Sequence, residues 1–228
     1  AGQCLASRPS VQQESLREEV ISCLFDILLT TDYSLTRQQI ANLLAEVGGK
    51  EVDRRLLDLL INERVHRDVP VRIADALGTF GKRSMATELL PLLSDEQIQP
   101  PIRISIAKAL GNMGEKLTVP GMLNLLPQEE INPEVRRGVA LALGALGESS
   151  IVDELVPLLA DQQIDPFVRM GIALAIGTLG DRSVATKLVA LLSNQQIDAD
   201  VRQSIALALG ALGERTVATK LPRLLTNK

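Results

Sequence analysis

Residues 135–147 have the sequence VRRGVALALGALG, and VRMGIALAIGTLG at 168–180 and VRQSIALALGALG at 201–213 are near copies of it. More divergent copies, IRISIAKALGNMG, VPVRIADALGTFG and TRQQIANLLAEVG, occupy residues 102–114, 69–81 and 36–48. All six stand 33 residues apart. Self-similarity at a fixed period of this length is typical of proteins in which each repeat packs on its neighbours. The sequence therefore predicts a stack of repeats.

Each copy has the apolar period of an α-helix. In the copy at 135–147 the apolar positions recur at i, i+4, i+7, i+8 and i+11, which form one helical face; they are Val135, Val139, Ala142, Leu143 and Leu146. Asn132 followed by Pro133 predicts a side-chain N-cap and a proline in the first turn. Gly144 is expected to allow close helix packing, and Gly147 to end the helix in a left-handed conformation.

A second, shorter helix fills the rest of each unit. It contains a leucine-rich segment such as LVPLL at 155–159, and its expected N-caps are Ser84, Ser150, Ser183 and Thr216. Isoleucines at 98, 131, 164 and 197 recur in the loop between the two helices and are expected to fill the gap between neighbouring loops. Helical hairpins repeated in this way predict an all-α fold, an α-solenoid.

The phrase V-R-x-x-[IV]-A-x-A-L-G-x-[LM]-G, preceded by a proline-containing helix, resembles the HEAT repeat over about residues 20–228. It is most similar to the short subtype named after phycobilisome lyases. The resemblance implies a right-handed α-solenoid (α-α superhelix) of about six to seven HEAT-like hairpins of 33 residues. It also implies that the helix carrying the phrase lines the concave side.

We expect a single array over residues 1–228. Residues 1–35 form an atypical N-terminal capping segment with the first helix, 36–213 the regular repeats, and 214–228 a final half repeat. Since Leu221, Leu224 and Leu225 keep the ordinary core pattern, we expect the array to continue in a longer parent protein.

One arginine position recurs in five copies, and we call these side chains the arginine row: Arg37, Arg103, Arg136, Arg169 and Arg202. The resemblance implies that the row bonds loop carbonyls and an acidic residue of an adjacent repeat, with Asp95, Asp161, Asp165 and Asp198 as candidates. The alternative is a row of ligand-binding arginines. Pro70 takes the arginine position in the copy at 69–81, with Arg72 two residues later, so the row should be interrupted there.

The predicted concave side supplies the candidate binding residues. Positions i, i+4 and i+8 of successive second helices share one face, and its apolar part, with one arginine, consists of Leu141, Leu174, Leu207, Met170, Phe167 and Arg137. Such a surface is expected to receive a helix of another protein. The alternative is that the leucines simply pack between successive helices.

Composition argues against several classes of function. The chain has 24 basic and 28 acidic residues without a basic tract, and aromatic residues make up only 2%. These values oppose nucleic-acid or membrane binding. A lone His66 and the widely separated Cys4 and Cys23 match neither a catalytic nor a metal-binding pattern. We therefore expect no enzyme, no catalytic residue, no cofactor and no metal, and a cytoplasmic location.

The leading hypothesis is a non-catalytic scaffold or adaptor that binds another protein, as one module of a larger regulatory or signalling protein. The resemblance also implies an alternative, a lyase-like protein that handles bilin chromophores or associates with phycobilisomes. Few aromatic side chains are available to enclose such a ligand. A nucleic-acid-binding array is a further, weaker alternative, and the oligomeric state is left open.

Overall fold

A computed structural model describes residues 11–62, 64–66, 68–81 and 83–213, and this part of the chain contains helices and no strand. The helices are α1 (Val11–Thr30), α2 (Ser34–Val47), α3 (Lys50–Leu60), α4 (Asp68–Phe80), α5 (Ala86–Leu89), α6 (Pro100–Met113), α7 (Val119–Leu125), α8 (Pro133–Leu146), α9 (Val152–Ala160), α10 (Pro166–Leu179), α11 (Ala185–Ser193) and α12 (Ala199–Ala211). The all-α prediction is confirmed. The predicted half repeat at 214–228, with its cap Thr216, lies outside the described residues.

The chain divides into two compact units, residues 1–81 and 82–228, which we call unit 1 and unit 2. In unit 1, α1 packs on α2, and α2 and α3 both pack on α4. Phe25 and Leu28 of α1 are buried, and the Arg55 guanidinium lies 3.9 Å from the centre of the Phe25 ring. The capping role of residues 1–35 stays a prediction; α1 leaves Leu16 and Val20 exposed.

Unit 2 consists of two layers of helices. The second helices α6, α8, α10 and α12 pack side by side in chain order, and the first helices α7, α9 and α11 pack against α8, α10 and α12. The loop isoleucines between them are all buried, in agreement with the prediction that they fill interior space: Ile98, Ile131, Ile164 and Ile197. Whether both units form one array remains a prediction.

The second helices begin as their sequences predict. The Oδ1 atom of Asn132 accepts the N–H groups of Glu134 and Val135, at 2.8 and 3.4 Å, and Pro133 is the first residue of α8. Asp165 accepts the N–H of Phe167 at 2.8 Å in the same way. These bonds satisfy N–H groups that have no partner within the helix.

The caps predicted for the first helices are wrong. Ser84, Ser150 and Ser183 lie inside short 3₁₀ turns that precede those helices. The cap of one turn is Asp181, whose Oδ1 accepts the Ser183 N–H at 2.8 Å, and this bond lowers the pKa of the Asp181 carboxyl. In that repeat the chain therefore turns two residues before the serine, at an acidic residue.

The two glycines have the two predicted roles in the repeats at 102–114, 135–147 and 168–180. A Cβ added at Gly144 would lie 2.9 Å from the Cα atom of Ala175, so α8 and α10 approach too closely for a side chain there. Gly147 has a φ of 78°, in the left-handed region that ends a helix at low cost only for glycine. The first glycine thus permits close contact between successive second helices.

Candidate binding surface on the second helices

Three positions on each second helix of unit 2 form one surface, which we call the open face. Its side chains are Ile104, Lys108 and Asn112 of α6, Arg137, Leu141 and Ala145 of α8, Met170, Leu174 and Thr178 of α10, and Gln203, Leu207 and Ala211 of α12. All twelve are exposed or half-buried, whereas Val135, Val139 and Leu143 on the other side of α8 are buried. The sequence thus divides each second helix into a core side and a solvent side.

The structure places the predicted partner-binding residues at or near the surface. Leu207 is 59% exposed and Leu141 37%, while Leu174 and Met170 are half-buried. Phe167, one turn before Met170 on α10, is 38% exposed. Leu141 and Leu207 therefore leave part of their side-chain surface exposed to water beside the neighbouring helices. The apolar surface is available to another molecule.

Arg137 and Phe167 are brought into contact across α8 and α10. The guanidinium carbon of Arg137 lies 4.6 Å from the centre of the Phe167 ring, a cation–π arrangement. Gly171 makes the approach possible, because a Cβ there would lie only 2.8 Å from the Arg137 Cγ atom. The arginine stem therefore lies over the glycine, and its charged end rests on the aromatic ring.

Charge is unevenly distributed in unit 2. Residues 83–213 include fifteen acidic and ten basic side chains, yet the open face carries Lys108 and Arg137 and no carboxylate. Glu134 and Asp200 lie one position before Val135 and Val201, at the beginning of their helices. A surface with an excess of positive charge is thus part of a unit with an excess of negative charge.

The arginine row has a repeated geometry in unit 2. Arg103, Arg136 and Arg169 are buried, and each donates to the carbonyl of the residue ten positions earlier, at the end of the first helix. The distances are 3.4 Å to Leu93, 3.2 Å to Leu126 and 2.9 Å to Leu159. Arg202 stands at the same position of α12 and is half-buried. Charged donors of this kind satisfy carbonyl groups that the end of a helix leaves without partners.

The four candidate aspartates all bind backbone close to themselves. Asp95, Asp161 and Asp198 accept the N–H two residues downstream, each at 2.9 Å, as Asp165 does at 2.8 Å. Burial lowers the pKa of the Arg169 guanidinium, and the charges of Asp161 and Asp198 oppose that shift. Asp161 precedes Arg169 in its own repeat and Asp198 belongs to the next, so aspartates of both loops act on this arginine by charge.

In unit 1 the row takes different partners. Arg37 of α2 is buried, and its Nη1 lies 3.2 Å from His66 Nδ1 and 3.7 Å from Asp68 Oδ2. His66 stands where later repeats have Asn132 and Asp165, and its Nδ1 accepts the Asp68 N–H at 3.2 Å. The exposed histidine thus substitutes for an acidic or amide cap, and this structural role accounts for its position.

Pro70 is buried at the row position of α4, and Arg72 extends towards α2 instead. Its Nη2 donates to Ser34 Oγ at 2.6 Å, and its Nε lies 3.2 Å from Asp68 Oδ1. Arg72 occupies the position that Gly138 and Gly171 hold in unit 2. The role of these glycines was not predicted, although the sequence has a small residue two positions after the row arginine in α6, α8, α10 and α12.

A cleft of about 350 Å³ lies in unit 1 between α1 and the start of α3. Its charged lining consists of Glu14, Arg17, Glu18, Lys50, Glu51 and Arg55. The charges are mixed, and the lining includes neither histidine nor cysteine. Among the described residues there is no group of three or more histidines, cysteines and acids placed to hold a metal ion, and no helix long and apolar enough to cross a membrane.

Comparisons with known proteins agree with this architecture. Residues 119–210, which run from α7 into α12, match the family of HEAT repeats. The structure of the complex of CpcE and CpcF of phycocyanin lyase from Nostoc sp. PCC7120 is similar with a TM-score of 0.50 and 21% identity, covering 85% of this chain and 77% of that chain. Human deoxyhypusine hydroxylase in complex with glycerol is similar with a TM-score of 0.42 and 18% identity over 94% and 95% of the two chains. No curated protein matches the sequence. The predicted resemblance to HEAT repeats, and with it the solenoid class, is confirmed.

Proposed function

Since residues 119–210 match the family of HEAT repeats, we propose that this protein is a non-catalytic scaffold whose open face binds another protein. A HEAT-like stack is a helical scaffold, and such repeats commonly mediate protein–protein interaction. The predicted location in the cytoplasm and membership of a larger regulatory protein belong to the same proposal.

One observation carries the proposal. Leu141 and Leu207 occupy the same position in their repeats, and both are exposed on one helix layer, with Leu174 half-buried between them. Exposed apolar side chains grouped in this way are typical of interaction surfaces. The rigid helix layer beneath them holds them in place, which limits the entropy lost on binding.

The test is a pull-down with the full chain as bait. Leu207→Asp introduces a charge at an exposed position of the open face, and Leu117→Asp is the matched control, since Leu117 is 77% exposed in a 3₁₀ turn before α7. Circular dichroism establishes that both variants keep the wild-type helix content. We expect proteins retained by the wild type and by Leu117→Asp to be lost with Leu207→Asp. Equal retention by both variants contradicts the proposal.

A bilin-handling function is the alternative, and the likeness of fold to the phycocyanin lyase complex is its support. Phe167 is the only aromatic residue in the sequence of unit 2, and it lies beside the open face. A linear tetrapyrrole needs apolar walls and polar partners for its nitrogens and carboxylates. The absorbance spectrum of a bilin mixed with the chain tests this alternative. A red-shifted band that Phe167→Ala abolishes supports the bilin-handling function, and an unchanged spectrum contradicts it.

A further inference from the structure

We propose that α1 and α2 carry a second binding surface, which takes an amphipathic helix of another protein with lysine or arginine along one flank of its apolar side. We call this surface the outer face. Its apolar side chains are Leu16, Val20, Cys23 and Ile27 of α1 and Leu35, Leu43 and Val47 of α2. It belongs to unit 1, whereas the open face belongs to unit 2, so the inference goes beyond the proposed function and does not depend on it.

The outer face exposes large apolar side chains. Leu16, Val20 and Leu35 are each at least half exposed, whereas Phe25 and Leu28 on another side of α1 are buried. The Nη2 atom of Arg17 donates to the Gly48 carbonyl at 3.5 Å, which places the first half of α1 beside the end of α2. Exposed apolar side chains grouped on neighbouring helices are typical of an interaction surface.

The exposed apolar residues of α1 have the spacing of a coiled-coil seam. They recur at intervals of four, three and four residues, all four are exposed, and we call them the seam: Leu16, Val20, Cys23 and Ile27. These intervals are the a and d positions of a seven-residue repeat, which packs along a second helix. The spacing of the seam therefore selects a helix as the occupant.

Leu43 of α2 distinguishes this occupant from a further repeat of the same kind. The position is alanine in the five later copies: Ala76, Ala109, Ala142, Ala175 and Ala208. In unit 2 that alanine meets the glycine of the preceding second helix, since a Cβ added at Gly144 would lie 2.9 Å from the Ala175 Cα atom. Leucine at 43 excludes such a close approach, so a helix that covers α2 lies at the wider distance of ordinary side-chain packing.

The charges of α1 and α2 select a basic occupant. The two helices and their connection contain two basic residues, Arg17 and Arg37, and both are engaged, with the Gly48 carbonyl and with His66 and Asp68. Six acidic residues are all exposed, and the structure gives their carboxylates no hydrogen bond or ion pair with another described residue; they are Glu14, Glu18, Glu19, Asp26, Asp32 and Glu46. The outer face therefore lies in a surface of uncompensated negative charge.

Glu19 and Asp26 form an acidic flank along the seam. Glu14 and Glu18 line the cleft together with Lys50, whereas Glu19 and Asp26 do not line it. Glu19 directly precedes Val20 and Asp26 directly precedes Ile27, so the two acids lie seven residues apart on one side of the seam.

Charges beside an apolar seam set the choice of partner helix. A helix with lysine or arginine opposite the acidic flank meets attraction. A second copy of this chain brings the same carboxylates to the interface and meets repulsion, so the occupant is a helix of another protein.

The experiment is a selection from displayed peptides against the full chain, with a reducing agent present because Cys23 is exposed. The library contains 18-residue helices of alanine and glutamine with leucine at positions 4, 8, 11 and 15, which reproduce the spacing of the seam. Positions 5, 7, 12 and 14, beside the leucines, are randomised. We expect lysine or arginine to be enriched at least tenfold over aspartate and glutamate at positions 5 and 12 or at positions 7 and 14, according to the direction in which the helix lies.

Charge reversal and two apolar substitutions supply the controls. With Glu19→Lys and Asp26→Lys combined, both at exposed positions, the same selection should favour aspartate or glutamate. Peptides selected by the wild type should bind this variant at least tenfold more weakly in fluorescence anisotropy. Val20→Asp should abolish their binding, and Leu207→Asp, on the open face, should leave it unchanged. Circular dichroism establishes that all variants keep the wild-type helix content.

Each other outcome contradicts the proposal. Peptides that Leu207→Asp releases bind the open face instead, and peptides that need Val20 but whose basic preference is absent or survives charge reversal reject the basic helix. If no peptide is selected, the helical occupant is rejected. If the wild type dimerises in sedimentation equilibrium and Val20→Asp does not, the occupant is a second copy. None of these results alters the expected effect of Leu207→Asp in the pull-down, so the proposed function is tested separately.

Discussion

The same arginine position is stabilised differently in the two units. In unit 2, Arg103, Arg136 and Arg169 donate to backbone carbonyls at the end of the preceding helix. In unit 1, Arg37 lies instead against the His66 ring and the Asp68 carboxylate. A recurring residue in a repeat sequence therefore does not guarantee a recurring contact.

The connection that precedes each arginine explains the difference. Before Arg169 the first helix ends at Ala160, and a loop of five residues separates it from α10, which leaves the Leu159 carbonyl within reach. Before Arg37, α1 continues to Thr30 and the connection has only three residues. The carbonyl ten positions before Arg37 belongs to Ile27 and already accepts the Thr31 N–H at 3.0 Å. Arg37 therefore uses side chains of the following loop.

The largest effect is expected when the small residue of unit 2 is replaced by its unit 1 counterpart. Gly171→Arg introduces the residue that unit 1 has at Arg72, but a Cβ at 171 meets the Arg137 Cγ at 2.8 Å and its carbonyl oxygen at 3.2 Å. Because backbone cannot move aside cheaply, we expect a loss of about 3 kcal/mol in the free energy of unfolding, measured with urea.

Gly138→Ala is the matched control for that variant. An added Cβ there lies 3.4 Å or more from the nearest atoms of Ile104, an ordinary contact. Alanine is also the better helix former, so we expect a gain of about 0.5–1 kcal/mol. A loss at Gly138→Ala as large as that at Gly171→Arg would contradict the role given to the Arg137 stem.

A smaller effect is expected from removing the unit 2 type of arginine contact. Arg169→Met keeps an apolar stem but leaves the buried Leu159 carbonyl without its 2.9 Å bond, which costs about 1–3 kcal/mol. Urea unfolding followed by circular dichroism measures the change. Arg182→Met is the control, at an exposed residue of the 3₁₀ turn before α11, and should change stability by less than about 0.5 kcal/mol. Equal stabilities for the two variants would support the ligand-binding alternative for the row.

Most of the features that arise from repetition could be predicted from the sequence. The helices of unit 2, the cap at Asn132, the close approach at Gly144 and the burial of Ile164 depend on period, cap chemistry and residue size, which are local properties. The caps of the first helices were missed because the 3₁₀ turn beginning at Asp181 adds residues that the helical period does not reveal. The contact of Arg137 with Phe167 was missed because it depends on two helices 33 residues apart and on the space at Gly171.

A third prediction concerns the unit 1 type of contact. Arg37→Met should cost only about 1 kcal/mol, because Asp68 keeps the 3.2 Å ion pair with Arg72. In a double-mutant cycle with Asp68→Asn, we expect a coupling energy of about 1 kcal/mol. The same cycle in unit 2, Arg169→Met with Asp161→Asn, should give less than about 0.5 kcal/mol, since Arg169 donates to a carbonyl. Equal coupling in the two cycles would show that both units use the same kind of partner.

The smallest effect is expected from a charge pair at the surface that joins successive repeats of unit 2. The corresponding link in unit 1 is the hydrogen bond between Arg72 and Ser34. Lys116, before α7, pairs with Glu148, before α9, and this contact together with Ser150 holds the pKa of the Glu148 carboxyl below its ordinary value of 4.5. Since the lowered pKa belongs to the folded chain, the pair stabilises the fold above the pH at which the unfolded carboxyl titrates. The stabilisation is lost as the pH falls through the folded-state pKa.

Lys116→Ala should therefore raise the pKa of Glu148 towards 4.5, as followed by the carboxyl ¹³C shift in an NMR titration. The matched control is Lys187→Ala, because Lys187 pairs with Asp153 at 2.9 Å and should leave the Glu148 titration unchanged. Added salt should reproduce part of the Lys116→Ala shift in the wild type, since salt screens a partly exposed pair. A Glu148 titration that neither Lys116→Ala nor salt alters would assign its low pKa to Ser150 alone, and the repeats of unit 2 would then be joined by packing without help from this charge pair.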